Sequence, residues 1–154
     1  MKTYRILIIL SAFIVIISCV KDKDLTKTEM LTQKAWLMKS GSVNPPLNNG
    51  NVIISDIFNS LPDCSKDDLL IFKSNGLFTQ EEGETKCKPT DPTVYDMGNW
   101  SLNYDETVLT MVSTYYDYVH ECQILKLNSS ELSIQYQLYD TLGTVYTFTE
   151  SYRH

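Results

Sequence analysis

Two side chains that could do chemistry together, His120 and Cys122, stand two residues apart in this 154-residue chain. On a strand that spacing puts both on one face. They could begin a metal site or a Cys–His nucleophile pair. A metal needs further ligands, and a nucleophile pair needs an orienting group and oxyanion donors. Nothing in the sequence marks such a set, so His120 is expected to pack in the core or at its rim, and Cys122 to act as a small buried apolar residue. The other histidine, His154, ends the chain and is expected to be mobile. The carboxylate pairs Asp67-Asp68 and Glu81-Glu82, with Glu84, could serve acid–base chemistry only if one carboxyl were desolvated. They fall at predicted strand ends and loops, which makes them a solvated rim. The sequence contains no Walker loop, Gly-x-Gly-x-x-Gly, Gly-x-Ser-x-Gly or His-Glu-x-x-His. The expectation is a protein that is not an enzyme, with no catalytic residues, no metal and no cofactor.

Aromatic residues are a second resource: the chain carries 10 Tyr, 5 Phe and 2 Trp. Tyr115, Tyr116, Tyr118, Tyr136, Tyr139 and Tyr146 concentrate in its second half. Tyrosines can fill a small barrel and place their hydroxyls at its wet ends. The same rings could instead line a cup for a hydrophobic or glycan ligand. Tyr116, Tyr118, Tyr136 and Tyr146 are the candidate ligand-binding residues.

The elements that must hold these residues are strands. Val, Ile, Thr and aromatics dominate from about residue 31 onward, and no long amphipathic helix is present. Short helical turns are expected over residues 25–34 and 53–60. A first strand is expected near residues 35–43. Strands over 68–73 and 77–82 flank Ser74-Asn75-Gly76. A three-residue loop with Gly76 in the left-handed region pairs Phe72 with Phe78. The same reasoning at Thr141-Leu142-Gly143 pairs Leu138 with Tyr146 and Tyr136 with Phe148. A turn at Asp105-Glu106 sets Leu102 against Leu109 and Trp100 against Met111. A long strand over 115–126 turns at Asn128-Ser129-Ser130 into 132–139, where Leu132, Ile134, Tyr136 and Leu138 share one face. The fold class is therefore all-β: about eight strands in an up-and-down antiparallel barrel, closed so that no edge is left bare.

The N-terminus is of another kind. Lys2 and Arg5 precede an apolar run over residues 6–17, closed by Ser18-Cys19. A membrane span needs about 17–25 apolar residues, so the run reads as a secretory signal. Ile16-Ile17-Ser18-Cys19 resembles a bacterial lipoprotein lipobox. The resemblance implies cleavage before Cys19 and acylation of that cysteine with palmitate-type chains. More than one acyl chain is what stable anchoring requires. The residues that follow, Val20-Lys21-Asp22-Lys23-Asp24, read as a charged tether. They also resemble the signal that sends some Bacteroidota lipoproteins to the outer face of the outer membrane. The chain thus divides into a signal peptide (1–18), a tether (19–30) and a barrel domain (31–154). Thirteen Lys+Arg against 19 Asp+Glu give a net charge of −6. That balance argues against a nucleic-acid partner, and against protein-surface attraction to anionic headgroups.

Three cysteines remain beside Cys19 in an oxidising compartment, so Cys64–Cys87, Cys64–Cys122 and Cys87–Cys122 are open pairings. Cys64–Cys87 is chosen because the two bracket the Phe72/Phe78 hairpin.

Several short pieces occur in one order. They are Leu31-x4-Trp36, Asp56-Ile57-Phe58 with Leu61-Pro62-Asp63-Cys64, Lys66-Asp67-Asp68 with Phe72-x-x-Asn75-Gly76, Glu82-Gly83-x-x-Lys86-Cys87, Gly98-Asn99-Trp100-Ser101-Leu102 and Ile124-x-x-Leu127-Asn128-Ser129-Ser130. Together they resemble the lipocalin-like domain of Bacteroidota lipoproteins. The resemblance covers about residues 31–150 and implies a small antiparallel barrel in the cell envelope. Two functions follow as expectations. One is a membrane-tethered binding module for a small hydrophobic or glycan ligand. The other is a filled barrel whose loops, 41–51 and 86–98, contact an envelope protein as an inhibitor or accessory subunit.

Overall fold

The computed structural model describes residues 24–154. The expected signal peptide, Cys19 and the start of the expected tether lie outside the described residues.

The first element is helix α1 (Lys27–Thr32). It starts where Thr26 can cap it. The Thr26 hydroxyl accepts from the Glu29 N–H at 3.1 Å, and Glu29 reaches back to the Thr26 N–H at 2.7 Å. Such a reciprocal box satisfies two backbone donors that a helix start otherwise leaves open. The helix straddles the boundary at residue 30 drawn from composition, and it matches the helical turn expected over 25–34.

Nine strands follow: β1 (Trp36–Asn49), β2 (Val52–Asp56), β3 (Leu69–Phe72), β4 (Leu77–Glu81), β5 (Val94–Leu102), β6 (Val108–Ser113), β7 (Val119–Leu127), β8 (Glu131–Tyr139) and β9 (Val145–Arg153). All pairings are antiparallel, and β1 pairs with β9 from Leu37 to Asn44. That contact closes β1 and β3–β9 into an eight-stranded barrel. On its other edge β1 meets β3 only at Trp36 and Leu37. Beyond that point β2 takes the same edge, at Ser42 and Leu47–Asn49. The extra strand is thus a flap on the barrel where β3 departs.

The hairpin registers follow the turn chemistry. Phe72 faces Phe78, Leu102 faces Leu109, Trp100 faces Met111, Leu138 faces Tyr146 and Tyr136 faces Phe148. Gly76 sits at φ +83° in the β3–β4 turn, a conformation that L side chains rarely adopt. Gly98 has a different reason. A Cβ there would lie 1.9 Å from the Val112 carbonyl oxygen, so β5 and β6 can approach only over a hydrogen.

Three expectations about element boundaries need correction. Residues 53–60 are half strand and half helix: β2 runs to Asp56, and α2 (Ile57–Ser60) starts where Asp56 caps the Asn59 N–H at 2.9 Å. The strand expected from residue 115 starts at Val119, because Ser113 Oγ accepts the N–H groups of Tyr115 and Tyr116 and turns the chain. The segments 41–51 and 86–98 are only partly loop, since β1 runs to Asn49 and β5 starts at Val94.

The core fills one end of the barrel. Leu31, Trp36, Phe72, Phe78, Leu109, Cys122, Leu132 and Ile134 are buried there, with Trp100 and Met111 beside them. Helix α1 plugs this end, and Lys27 Nζ donates to the Glu106 carbonyl in the β5–β6 turn at 2.6 Å. His154 is not a loose end. Its ring lies 3.8 Å from that of Trp36, and its Nδ1 is 3.0 Å from the Ala35 carbonyl. Packing on an aromatic face holds a residue that its terminal position alone would leave free. Among the described residues no helix is long and apolar enough to cross a membrane.

Candidate functional site

The opposite end of the barrel is open. There the chain crosses between strands by its longer connections: α2 with a 3-10 turn (Asp63–Ser65), residues 82–93, and residues 114–118. Below them lies a cavity of about 440 Å³. Leu70, Met111 and Tyr152 belong both to the core and to the cavity, so they form its floor. Leu61, Ser65 and Tyr116 stand at the mouth, and Asp68, Gln80, Tyr95, Asp96, Tyr118, His120, Tyr136 and Glu150 make the walls. A volume of this order suits a small ligand.

Three of the four candidate tyrosines meet in this cup. Tyr116, exposed at the mouth, Tyr118 and Tyr136 line it. Tyr146 lies further out on β9, opposite Leu138, outside the lining. Tyr115 packs edge-on against Tyr116 with ring centres 5.3 Å apart, and Tyr139 is exposed. The rings form a continuous stack. Tyr118 and His120 are 4.2 Å apart, His120 and Tyr136 4.7 Å, and Tyr136 and Phe148 5.2 Å. The stack bridges a real seam. β7 pairs with β8 only from Gln123 onward, so above that point the two strands are joined by rings rather than by backbone hydrogen bonds.

The carboxylates are what the sequence reading missed. Asp96, 2% exposed, accepts from Ser113 Oγ at 2.6 Å, its neighbour's Met97 N–H at 2.8 Å and the Tyr118 hydroxyl at 2.5 Å. Glu150 accepts from Tyr136 at 2.8 Å and from Tyr152 at 2.5 Å. Burial pushes the Glu150 carboxyl up, and the two hydroxyls pull it back. Burial also pushes the Tyr118, Tyr136 and Tyr152 hydroxyls up, so they stay protonated donors. A signal for both carboxylates existed. Asp96 alternates in phase with Gly98 and Trp100, and Glu150 with Phe148 and Tyr152, so each is a charge at an inward position.

Asp68 departs from the expected solvated rim. Its Oδ1 is buried without a hydrogen-bond partner, as is Glu82 Oε2. Burial and the nearby Glu82 push the Asp68 carboxyl up, against the pull of the Tyr95 hydroxyl. Tyr95 reaches Asp68 because β4 and β5 slip register between Gln80 and Glu81, where one residue is bulged. Asp67 does behave as a rim residue: it accepts from the Thr85 N–H at 2.9 Å and hydroxyl at 2.8 Å.

Cys64 and Cys87 stand at disulfide distance beside the mouth, their Cα atoms 5.1 Å apart. They tie the 3-10 turn to the β4–β5 connection. Cys122 is free and buried. Burial pushes its thiol up to about 12, so it is a neutral thiol and not a thiolate nucleophile. Burial pushes the His120 imidazole down, while Asp96 pulls it up. Among the described residues no group of three or more His, Cys, Asp or Glu side chains could hold a metal ion. In sequence, the chain matches no protein-family model and no curated protein.

Proposed function

We propose that this chain is a membrane-anchored lipoprotein of the bacterial cell envelope whose lipocalin-like barrel is a non-catalytic binding module for a small ligand. The cup carries the reading: a volume of about 440 Å³, floored by core side chains and walled by tyrosines, opens at one end of a closed barrel. A structural filler would leave no such space. Of the ligand types that the tyrosines suggest, one with polar groups fits better than a purely hydrophobic one, since Asp96 and Glu150 face the same space. Burying an apolar surface against them would strip water from carboxylates and return no hydrogen bond.

The anchor and the cup fit together. Helix α1, the first described element, sits at the plugged end. A lipid on Cys19 would hold that end toward the membrane and leave the mouth facing outward.

Two experiments test the reading. Protein purified from envelopes is denatured, and released small molecules are identified by mass spectrometry. The wild type should release one compound that a Ser65→Trp variant, blocked at the mouth, does not. Release of none, with a protein recovered in equal amount instead, would favour the loop-docking reading. Separately, the wild type should sediment with membranes and Cys19→Ala should not; equal sedimentation of both would refute the anchor.

A further inference from the structure

We propose that the cup takes a small organic cation: an ammonium group carried on an apolar or aromatic body. This rests on the binding-module reading and names its ligand class. The first support is the direction of the hydrogen bonds. A tyrosine hydroxyl has one proton to give. Tyr118 gives its proton to Asp96, and Tyr136 and Tyr152 give theirs to Glu150. Toward the ligand these groups therefore offer lone pairs. Where these tyrosines and carboxylates line the cup it presents acceptors, and an ammonium group, with up to three donors and no acceptor, is their complement.

The second support is charge. Asp68, Asp96 and Glu150 line the cavity, and no Lys or Arg does. His120 is the basic side chain present, and burial keeps it toward its neutral form. An anion would meet three acidic side chains and neither Lys nor Arg.

The third support is aromatic. The rings of Tyr116, Tyr118 and Tyr136 supply apolar walls, and aromatic faces attract cations.

The test uses the full chain purified in detergent and titration calorimetry at constant ionic strength near neutral pH. One set of probes shares an aromatic body: tyramine, 4-(2-hydroxyethyl)phenol and 4-hydroxyphenylacetate. A second shares a sugar body: glucosamine, glucose and glucuronate. In at least one set the amine should bind about tenfold or more tighter than its neutral partner, and the acid weakest. Asp68→Asn, at the half-buried wall, and Glu150→Gln should each weaken the amine several-fold and the neutral probe by clearly less. Equal binding of amine and neutral probes, or amine binding indifferent to both substitutions, overturns the cation class and leaves the cup as a binding site. No binding by any of the six probes overturns the cation class and the binding-module reading together.

Discussion

The Tyr136 hydroxyl donates to Glu150 at 2.8 Å, across a β8–β9 pairing in which Tyr136 faces Phe148 and Ile134 faces Glu150. A carboxylate is thereby fixed inside the barrel with phenols as its hydrogen-bond donors, and the pH dependence of stability should report it. The folded-state pKa of Glu150 is raised above the ordinary 4.5. Between those two values the folded state holds a proton that the unfolded state has lost, so this group makes stability fall as pH rises. Glu150→Gln removes that penalty. In urea melts its stability relative to wild type should grow as pH is raised from about 4 to 8. A difference constant with pH would show that Glu150 ionises in the fold as freely as in the open chain.

His120 should behave with the opposite sign. Its folded-state pKa is lowered from the ordinary 6.5, chiefly by burial in the ring stack. Below 6.5 the unfolded chain takes up a proton that the folded state resists, so stability is lost as pH falls through that region. An NMR titration of the His120 ring should give a midpoint below 6.5, and His120→Phe should flatten the acid slope of the urea melts. A midpoint at or above 6.5 would mean that Asp96 outweighs the burial.

The contrast between these residues and the frame around them shows what the sequence could tell. Phe72 opposite Phe78 was legible because Gly76 and the period-two alternation fix register together, and a slip of one residue would turn every side chain over. The Cys64–Cys87 proximity followed from that hairpin. Asp68, Asp96 and Glu150 were legible only in part. Their inward phase is visible, but Asp68 reads with Asp67 as rim, and the Tyr95 bulge that reaches it depends on a slip between two strands. Tyr118 lies before the start of β7, where a hydroxyl contact from Ser113 sets the chain's path. Such side chain–backbone bonds compete with strand pairing and leave little trace in periodicity. The place of His154 is not legible from its terminal position, because its partner, Trp36, lies far away in the chain.

The cysteine pair at the mouth should matter for the rim more than for the core. Cys64 and Cys87 are separated by 23 positions. Closing a loop of that length restricts the unfolded chain by roughly 3 kcal/mol. Cys64→Ser with Cys87→Ser should lower unfolding stability by about that amount in denaturant melts. Hydrogen exchange should speed up most in residues 82–93, which also depend on the Asp67–Thr85 contacts. A mass map of the unreduced protein that joined Cys122 to either cysteine would contradict the pairing.

The plugged end can be tested by cutting one side chain. Leu31 is fully buried beneath the barrel, and its carbonyl accepts the Trp36 indole N–H at 2.9 Å. Trp36 is also fully buried, with His154 against its ring. Leu31→Ala would remove apolar volume from the contact between α1 and the barrel, a change that costs roughly 2–5 kcal/mol in well-packed cores. The barrel's own registers do not pass through α1, so the loss should fall on the plug. Far-ultraviolet dichroism should keep its strand signal, while tryptophan emission shifts to the red as water reaches Trp36. If Leu31→Ala leaves both stability and emission unchanged, α1 does not seal the barrel.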